Sequence, residues 1–226
     1  MIFALFDLDH TLLDGDSDYL WGRFLVSQGV WDEVEFAVAN ARYAAEYRSG
    51  RLDIHEFLEF GLRPLKDHEP EQLLHWRARF VAERIRPRIP AASHELIRRH
   101  TDSGHVVVII TATNRFVTEP IAVELGVGHL IATDPERVGE RYTGRIVGLP
   151  CFREGKVQRF QQWRETQGYP QGETWFYSDS HNDLPLLRQV QHPVAVNPDE
   201  VLARFAAEQG WPVLELRLAL PWPGAA

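Results

Sequence analysis

The sequence has 226 residues, 44% of them hydrophobic, which is enough for one sizeable α/β core and a smaller inserted domain. Its 32 acidic and 24 basic residues give a formal net charge of -8 without any basic run, which argues against nucleic acid or an anionic membrane as a partner and favours small-molecule chemistry. The single cysteine, Cys151, excludes an internal disulfide framework and is typical of a structural thiol in a reducing compartment.

The N-terminal segment MIFALFDLDH predicts a buried strand at residues 2–6. It lacks a positively charged start, and Asp7 ends its apolar run, so a signal peptide is not expected. No apolar run elsewhere approaches the roughly 20 residues of a membrane-spanning helix. We therefore expect a soluble, cytoplasmic protein without a membrane partner.

Residues 16–90 separate the first predicted strand from the second, which is far more than the roughly two to six residues of an ordinary βα loop. Apolar and aromatic residues recur there at helical spacing, which predicts helices at residues 19–28, 31–47, 53–60 and 70–85. We interpret this stretch as an all-helical cap domain inserted into a core made of residues 1–15 and 91–226.

Strands and helices alternate in the rest of the chain. Near-continuous apolar runs predict buried parallel strands at residues 106–110, 174–177 and 194–196. Helical patterns occupy residues 91–103, 115–126, 156–167 and 184–189. The alternation predicts an α/β fold with a doubly wound parallel sheet. Within residues 131–147, turn residues at Asp134-Pro135 and at 138–140 interrupt β-prone segments, which predicts a small β-hairpin flap.

Two aspartates, Asp7 and Asp9, directly follow the first predicted strand. At the carboxyl end of a strand, both can reach the crevice in which α/β sheets bind ligands. Either residue taken alone has an ordinary explanation as a helix cap or a turn former. A second pair of aspartates, Asp179 and Asp183, comes after a later predicted strand. This repetition indicates a functional role for the aspartates.

Four segments, FDLDHTLL, IITAT, EGK and SDSHNDLPLL, resemble in order the four motifs of the haloacid dehalogenase-like superfamily, and the match spans the whole predicted core. The helical insertion after the first motif resembles the cap of the phosphoserine phosphatase branch. The resemblance implies a Rossmann-like doubly wound sheet and a phosphatase that uses Mg²⁺.

The resemblance makes Asp7 the nucleophile, a role that suits a carboxylate because a covalent intermediate divides one difficult displacement into two easier steps. It makes Asp9 the general acid and base, with its backbone carbonyl facing the metal. Asp179 and Asp183 complete a cluster of four carboxylates, which repel one another unless a cation is bound. Mg²⁺ suits such oxygen ligands, so these four residues are the expected metal site.

Thr111 and Lys156 are expected to hold the phosphate oxygens, with Lys156 opening a helix whose N-terminal NH groups favour an anion. A lone lysine on a helix is usually solvated, and the assignment of Lys156 depends on its Glu-Gly-Lys context. Asn182 is expected to orient the phosphate or Lys156. Three residues within the same motifs are also assigned to substrate binding: Thr11, Ala112 and Thr113.

Phosphoserine phosphatases recognise the amine of their substrate with an acid shortly after the first motif, and its carboxylate with an arginine in the cap. Asp16 falls at the position of the acid, whereas Gly61 falls at that of the arginine. Arg63, two residues on, could compensate, yet a shift of two residues on a helix points to a different side. We therefore expect a small phosphorylated metabolite that carries an amine without a carboxylate, such as histidinol phosphate or phosphoethanolamine. Asp18 and Tyr19 are further candidate pocket residues or, alternatively, a helix cap and a packing aromatic.

Three other functions fit the same fold. A dehalogenase of the superfamily would not need Asp9, because a halide leaves without a proton. A phosphomutase would retain the phosphoryl group, and a catalytically silent sensor of phosphate esters would not need every motif residue. The sequence leaves open the roles of His10, Arg63 and His181, and the choice between a monomer and a homodimer. It also leaves open whether the leaving group is that of phosphoserine, histidinol phosphate or another amine-bearing ester.

Overall fold

The computed structural model describes residues 1–217; residues 218–226, the end of the predicted core, lie outside the described residues. A seven-stranded sheet forms its centre, in the spatial order β4-β3-β2-β1-β5-β6-β7. Neighbouring strands are parallel except for β3 and β4, which are antiparallel. The strands are β1 (Ile2–Phe6), β2 (Val106–Asn114), β3 (His129–Val138), β4 (Arg141–Val147), β5 (Glu173–Ser178), β6 (His192–Val196) and β7 (Val213–Leu214).

Helices cover both faces of the sheet, which explains the continuous apolar run of β1. Ala4 and Phe6 point into one hydrophobic cluster and Phe3 and Leu5 into the other, and all four side chains are fully buried. From β1 the chain moves to β2 on one side and later returns to β5 on the other, so the predicted doubly wound sheet is confirmed. The helices of this core are α5 (Ala91–Asp102), α6 (Arg115–Glu124), α7 (Glu154–Thr166), α8 (Leu184–Leu187) and α9 (Glu200–Gln209).

The insertion between β1 and α5 consists of helices and short connections, as predicted. Asp16, Asp32 and Asp53 cap its first three helices through their side chains. The division of the chain into a cap at residues 16–90 and a core stays a prediction. The helices are α1 (Ser17–Ser27), α2 (Glu33–Arg48), α3 (Ile54–Asp67) and α4 (Pro70–Phe80), followed by a π-helical turn (Val81–Ile85) and a 3₁₀ turn (Arg86–Arg88).

Helix α3 continues to Asp67, although the sequence pattern predicted its end at residue 60. Pro64 lies inside the helix and removes one backbone hydrogen bond. Leu58, Leu62 and Leu65 are nevertheless buried at helical spacing on both sides of the proline. Burial of this apolar face outweighs the lost hydrogen bond and carries the helix onward.

The predicted β-hairpin is present, but it begins inside the main sheet. β3 first pairs in parallel with β2 and then continues through Asp134 and Pro135 to pair with β4. The prediction that Asp134-Pro135 interrupts the strand is wrong, because a register shift next to Pro135 accommodates the proline. The turn lies at Gly139, whose φ of +62° favours glycine.

Two elements after residue 196, α9 and β7, had not been predicted. Cys151 is buried, its thiol donates to the carbonyl of Ile131 at 3.7 Å, and burial raises the pKa of the thiol to about 12, in agreement with a structural role. Within residues 1–217, every helix is too short or too polar to span a bilayer.

Candidate active site

Three neighbouring parallel strands bring the predicted catalytic residues to one edge of the sheet. Asp7 directly follows β1, Thr111 lies in β2, and Asp179 directly follows β5. The strand order reverses at β1, which is where α/β sheets bind ligands. The strand that carries Thr111 extends beyond the predicted residues 106–110, because β2 continues to Asn114, which pairs with Thr133 of β3.

Lys156 joins the first and last motifs through a buried ion-pair network. Its Nζ donates to Asp7 Oδ1 at 2.8 Å and to Asp183 Oδ2 at 2.7 Å, and the residue is only 3% exposed. Ser178 Oγ donates to the same oxygen of Asp183 at 2.7 Å. Burial alone lowers the pKa of Lys156, but the carboxylates of Asp183 and Asp7 together raise it well above its usual value. Lys156 is therefore a charged residue of the site and not a solvated surface lysine.

The glycine of the Glu-Gly-Lys motif, Gly155, is needed for steric reasons. Helix α7 begins at Glu154, and a Cβ atom on Gly155 would lie 2.1 Å from the carbonyl oxygen of Pro150. Only glycine allows the backbone to approach this closely. The first turn of α7 thus packs against the preceding loop, and this brings Lys156 to the carboxylates.

The carboxylates at this edge of the sheet carry more negative charge than Lys156 alone balances. Asp179 Oδ1 accepts a hydrogen bond from Thr11 Oγ1 at 3.2 Å. Burial first, and then the charges of Asp7 and Asp183, raise the pKa of Asp179 well above its usual value. Burial likewise raises the pKa of Asp7 to about 7, with the charge of Lys156 opposing the change. A further cation would relieve this repulsion.

The donor set of the cluster fits Mg²⁺, which usually binds one or two carboxylates and completes its octahedral shell with water and substrate phosphate. Asp7 and Asp179 offer such oxygens, and Asp183 lies beside them, fixed by Lys156 and Ser178. Within residues 1–217, no group of three or more His, Cys, Asp or Glu side chains is placed so that together it could hold a metal ion, so the expected site of four carboxylate side chains is not found as such. The remaining ligands would therefore have to come from the backbone, water and phosphate.

Asp9 is held jointly by β2 and by the start of the insertion. Its Oδ1 accepts a hydrogen bond from the backbone N of Ser17 at 2.6 Å, and its Oδ2 accepts one from Thr113 Oγ1 at 2.8 Å. Burial and the charge of Asp16 raise the pKa of Asp9, whereas these hydrogen bonds lower it. The raised pKa favours the protonated form that a general acid needs.

Thr111 has a hydroxyl proton to offer to an anion. The backbone N of Thr113 donates to Thr111 Oγ1 at 3.2 Å, which leaves the hydroxyl free to act as a donor. Thr113 and Ala112, both predicted to contact the substrate, line the cavity beside it, although the Thr113 hydroxyl already donates to Asp9.

The site opens into a cavity of about 650 Å³ lined by both the sheet edge and the insertion. All predicted site residues line it except Thr11 and Asn182, which are buried beside it. A cavity of this size accommodates a ligand larger than phosphate alone. Among the described residues, its wall carries eight carboxylates and only two permanently charged cations, Lys156 and Arg48. The cavity therefore favours a ligand that bears a positive charge.

Asp16 and Asp18 both line the cavity at the start of α1. Asp16 caps α1, because its Oδ1 accepts a hydrogen bond from the backbone N of Tyr19 at 2.9 Å. The alternative prediction, that Asp18 is the helix cap, is therefore wrong. Asp18 Oδ1 accepts a long hydrogen bond, 3.4 Å, from Asn114 Nδ2. Burial, and then the charges of Asp16 and Asp9, raise the pKa of Asp18 well above its usual value. Tyr19 lines the cavity next to these acids.

Gly61 lines the cavity from α3, and no atom lies within 4 Å of the position that a Cβ would take there. Arg63 is engaged elsewhere: its Nη2 donates to Glu35 Oε1 at 2.6 Å, and its guanidinium lies 4.5 Å from the ring centroid of Trp31. Arg63 is exposed and is not among the residues that line the cavity. Arg63 therefore does not reach the cavity at Gly61, and Arg48 is the one arginine that lines the cavity within residues 1–217.

Several contacts between the insertion and the fourth motif were missed by the sequence analysis. Tyr47 Oη donates to Ser180 Oγ at 2.8 Å, and Asn182 Nδ2 donates to the carbonyl of Tyr47 at 3.3 Å. Arg153 donates to Asn182 Oδ1 at 2.9 Å and to the carbonyl of Gly50. Within residues 1–217, these bonds occupy Asn182 and none joins it to Lys156, so its amide holds the end of α2. No local pattern indicates pairs that are 133 positions apart.

The two histidines with open roles also line the cavity. His181 Nδ1 lies 2.7 Å from Asp199 Oδ2, and the backbone N of His181 donates to the same oxygen at 2.8 Å. Asp199 caps α9, a helix that had not been predicted, so this partner was missed. His10 lies in the turn that leaves β1, with a φ of +57°, and its carbonyl accepts a hydrogen bond from Asn197 Nδ2 at 2.9 Å.

Several known proteins are similar to this chain over most of its length. The model of the haloacid dehalogenase-like hydrolase family matches residues 4–188. The histidinol-phosphatase of Neisseria meningitidis serogroup C (strain 8013) is 41% identical over 218 residues, which cover 95% of this chain and 98% of that protein. A phosphoserine phosphatase of Mycobacterium tuberculosis (strain ATCC 25618 / H37Rv) is 31% identical over 219 residues, which cover 96% of this chain and 71% of that protein.

Solved structures show the same fold. A protein of unknown function from Bordetella pertussis Tohama I superimposes with a TM-score of 0.90 at 45% identity, covering 95% of this chain and 98% of that one. A substrate-bound phosphoserine phosphatase superimposes with a TM-score of 0.66 at 19% identity, covering 95% and 92% of the two chains. The second likeness concerns the fold alone.

Proposed function

The chain belongs to the haloacid dehalogenase-like hydrolase family, and we propose that it is a Mg²⁺-dependent phosphatase that cleaves a small phosphomonoester through an aspartyl-phosphate on Asp7. One observation carries this proposal: Lys156 binds Asp7 and Asp183 in a buried network, with Asp179 beside it at the end of a neighbouring strand. A protein that only bound phosphate esters would not need a nucleophile and an acid held in this way.

In the first step, a carboxylate oxygen of Asp7 attacks phosphorus, the ester P–O bond breaks, and the departing alcohol takes a proton from Asp9. Lys156 contacts Asp7 and can bind a phosphate oxygen at the same edge, while the free hydroxyl proton of Thr111 is available to a second oxygen. Ser17 and Thr113 hold the Asp9 carboxyl group in its orientation during the proton transfer.

In the second step, a water molecule gives a proton to Asp9 and attacks phosphorus, and the bond between Asp7 and the phosphoryl group breaks. This step releases inorganic phosphate and restores both carboxyl groups to their starting states. Mg²⁺, when bound, neutralises phosphate charge and aligns the phosphoryl group with the nucleophile. Asp7, Asp179 and the backbone carbonyl of Asp9 are the residues proposed to hold it, with Asp183 acting through water.

We also propose that the substrate carries an amine and no carboxylate, with histidinol phosphate as the first candidate. The acidic cavity and the two carboxylates at the start of α1, Asp16 and Asp18, favour a cation. Gly61 provides no side-chain donor for a carboxylate, and the described part of the cavity wall offers only Lys156 and Arg48 against eight acids. The carboxylate of phosphoserine would therefore enter an acidic site at a cost in desolvation. The near full-length similarity to a protein named histidinol-phosphatase supports the same choice.

The mechanism is tested by Asp7→Asn, an isosteric change that removes the nucleophile. We expect no turnover of any phosphomonoester by this variant, an unchanged circular dichroism spectrum, and wild-type activity in the control Asp102→Asn, which changes an exposed aspartate of α5. Appreciable turnover by Asp7→Asn would sink the covalent mechanism.

The substrate is tested with a panel of phosphomonoesters in the presence of Mg²⁺. We expect kcat/KM for histidinol phosphate to exceed that for phosphoserine at least tenfold, or by about 1.4 kcal/mol. The opposite ranking by the same factor would show that another cation binds the carboxylate of phosphoserine.

The cytoplasmic location is proposed on the sequence analysis, and the buried Cys151 suits a reducing compartment. Light scattering coupled to size-exclusion chromatography distinguishes a monomer from a homodimer.

A further inference from the structure

Five aromatic rings form part of the cavity wall on the side of the insertion, and we call them the cap aromatic wall: Trp31, Phe36, Tyr43, Phe57 and Phe60. The ring centroids of Trp31 and Phe60 are 4.4 Å apart, and Tyr43 lies 5.6 Å from Phe60 and 5.3 Å from Phe57. The rings thus form one continuous surface. Phe57 and Phe60 are only partly buried, so this surface is open to the cavity. Covering it with an apolar part of a ligand is favourable.

Gly61 follows Phe60 in α3 and leaves space in front of the wall. A glycine inside a helix is destabilising relative to alanine, so it calls for a reason. At Gly22 the reason is steric, because a Cβ there would lie 2.2 Å from the ring of Phe36. At Gly61, no described atom apart from its chain neighbours and the backbone of its own helix lies within 4 Å of the Cβ position, and the residue lines the cavity. The missing side chain at this position therefore enlarges the cavity and does not relieve a close contact.

One uncharged polar group accompanies the rings. Asn40 lies on the same face of α2 as Phe36 and Tyr43, at helical spacing, and all three line the cavity. Within residues 1–217, the side-chain amide of Asn40 has no hydrogen-bond partner. An amide can both donate and accept, so it can pair with a nitrogen atom of a ring in either protonation state.

Positive charge covers the outer side of the same wall. The guanidinium of Arg63 lies 4.5 Å from the ring centroid of Trp31 and 5.3 Å from that of Phe60, and Arg63 is paired with Glu35 on the surface. Because Arg63 does not line the cavity, the rings present an uncharged face to a ligand. Such a face suits a flat ring and does not suit a carboxylate.

We propose that the cap aromatic wall and Gly61 form a subsite for a planar heteroaromatic ring on the leaving group, with Asn40 as the hydrogen-bond partner of a ring nitrogen. This inference rests on the proposed phosphatase function. It makes the substrate the phosphate ester of an amino alcohol that carries such a ring, the phosphate lying at Asp7 and the ring in the cap.

The test compares two amine-bearing esters, of which only one has a ring: histidinol phosphate and phosphoethanolamine. Gly61→Leu fills the space in front of the wall, and Glu59→Leu places the same side chain on the exposed side of the same helix as a control. We expect Gly61→Leu to lower kcat/KM for histidinol phosphate at least tenfold and that for phosphoethanolamine less than threefold. Glu59→Leu should leave both unchanged. Asn40→Leu should lower only the value for histidinol phosphate, by at least threefold.

Calorimetric titration with the alcohol products, L-histidinol and ethanolamine, tests the subsite without turnover. We expect Gly61→Leu to weaken the binding of L-histidinol at least fivefold relative to Glu59→Leu. If the wild type hydrolyses no phosphomonoester yet this difference in binding is found, the proposed function fails and the subsite stands. Equal effects of Gly61→Leu on both esters, or equal binding of L-histidinol by the two leucine variants, would overturn the subsite.

Discussion

Replacing Lys156 by methionine removes the cation that contacts both Asp7 and Asp183, while keeping an unbranched side chain of similar length. The two hydrogen bonds, 2.8 and 2.7 Å long, are buried, and both Lys156 and Asp183 are 3% exposed. Removing one partner of a buried ion pair costs about 3–5 kcal/mol, because the remaining charge stays buried without a partner. At roughly 2–4 °C per kcal/mol for a chain of this size, we expect Tm to fall by roughly 6–20 °C.

Thermal unfolding of Lys156→Met is best followed by circular dichroism in the presence of a chelator, so that no divalent cation replaces the missing charge. The matched control is Lys66→Met, because Lys66 is the other lysine of the chain and is exposed on α3. That control should stay within about 0.5 kcal/mol of the wild type. The double variant Lys156→Met/Asp183→Asn should regain part of the lost stability, since one of the unpaired carboxylates is neutralised. Equal Tm values for Lys156→Met and Lys66→Met would refute the reasoning.

Three further predictions concern the metal, the substrate amine and a buried histidine. Activity should be lost in chelator, restored by Mg²⁺ and suppressed by Ca²⁺, whose larger and looser coordination shell disturbs the in-line geometry; full activity in excess chelator would contradict this. Asp16→Asn keeps a good helix cap but removes a charge. It should lower kcat/KM for histidinol phosphate about tenfold, an effect larger than the roughly 0–1 kcal/mol of an exposed ion pair. A loss of equal size for p-nitrophenyl phosphate would show that Asp16 does not bind the amine. Burial, with a smaller effect of His105, lowers the pKa of His100 from 6.5 to about 4. Between these two pH values the unfolded state binds more protons than the folded state. The free energy of unfolding therefore falls as the pH drops from 6.5 towards 4. His100→Gln should flatten this part of the pH profile measured by urea denaturation, and an unchanged slope would count against the assignment.

The parts of the fold that could be predicted are those that leave a local pattern. β1 is buried on both faces, and its unbroken apolar run shows this directly. The helices of the insertion repeat apolar residues at helical spacing, and their aspartate caps precede them. The predicted ends of two elements were wrong because each element continues past a proline. At Pro64, burial of neighbouring side chains keeps the helix intact, and at Pro135 a register shift keeps the strand paired.

The predicted site residues could likewise be recognised because each belongs to a short motif next to a strand or helix end. From the order of the motifs alone, Asp7, Thr111, Lys156 and Asp179 were expected at one edge of the sheet, and the structure brings them there, although β2 extends beyond Thr111. Parallel strands make this inference safe, since their carboxyl ends necessarily meet at the same edge.

The sequence by itself therefore determined the family resemblance, the doubly wound sheet with its helical insertion, and the cluster of motif residues. Each of these is recognised from short motifs or periodic patterns whose own residues are close in the chain, even though the motifs lie far apart. Only the tertiary structure decided that Asp16 caps α1 while Asp18 also lines the cavity, that Asn182 and Arg153 hold the end of α2, and that Arg63 lies outside the cavity. It also decided that aromatic rings from α2, α3 and the loop before α2 meet in the cap aromatic wall. These features depend on contacts between distant segments, whose geometry is set by the packing of whole helices and leaves no periodic trace in the chain.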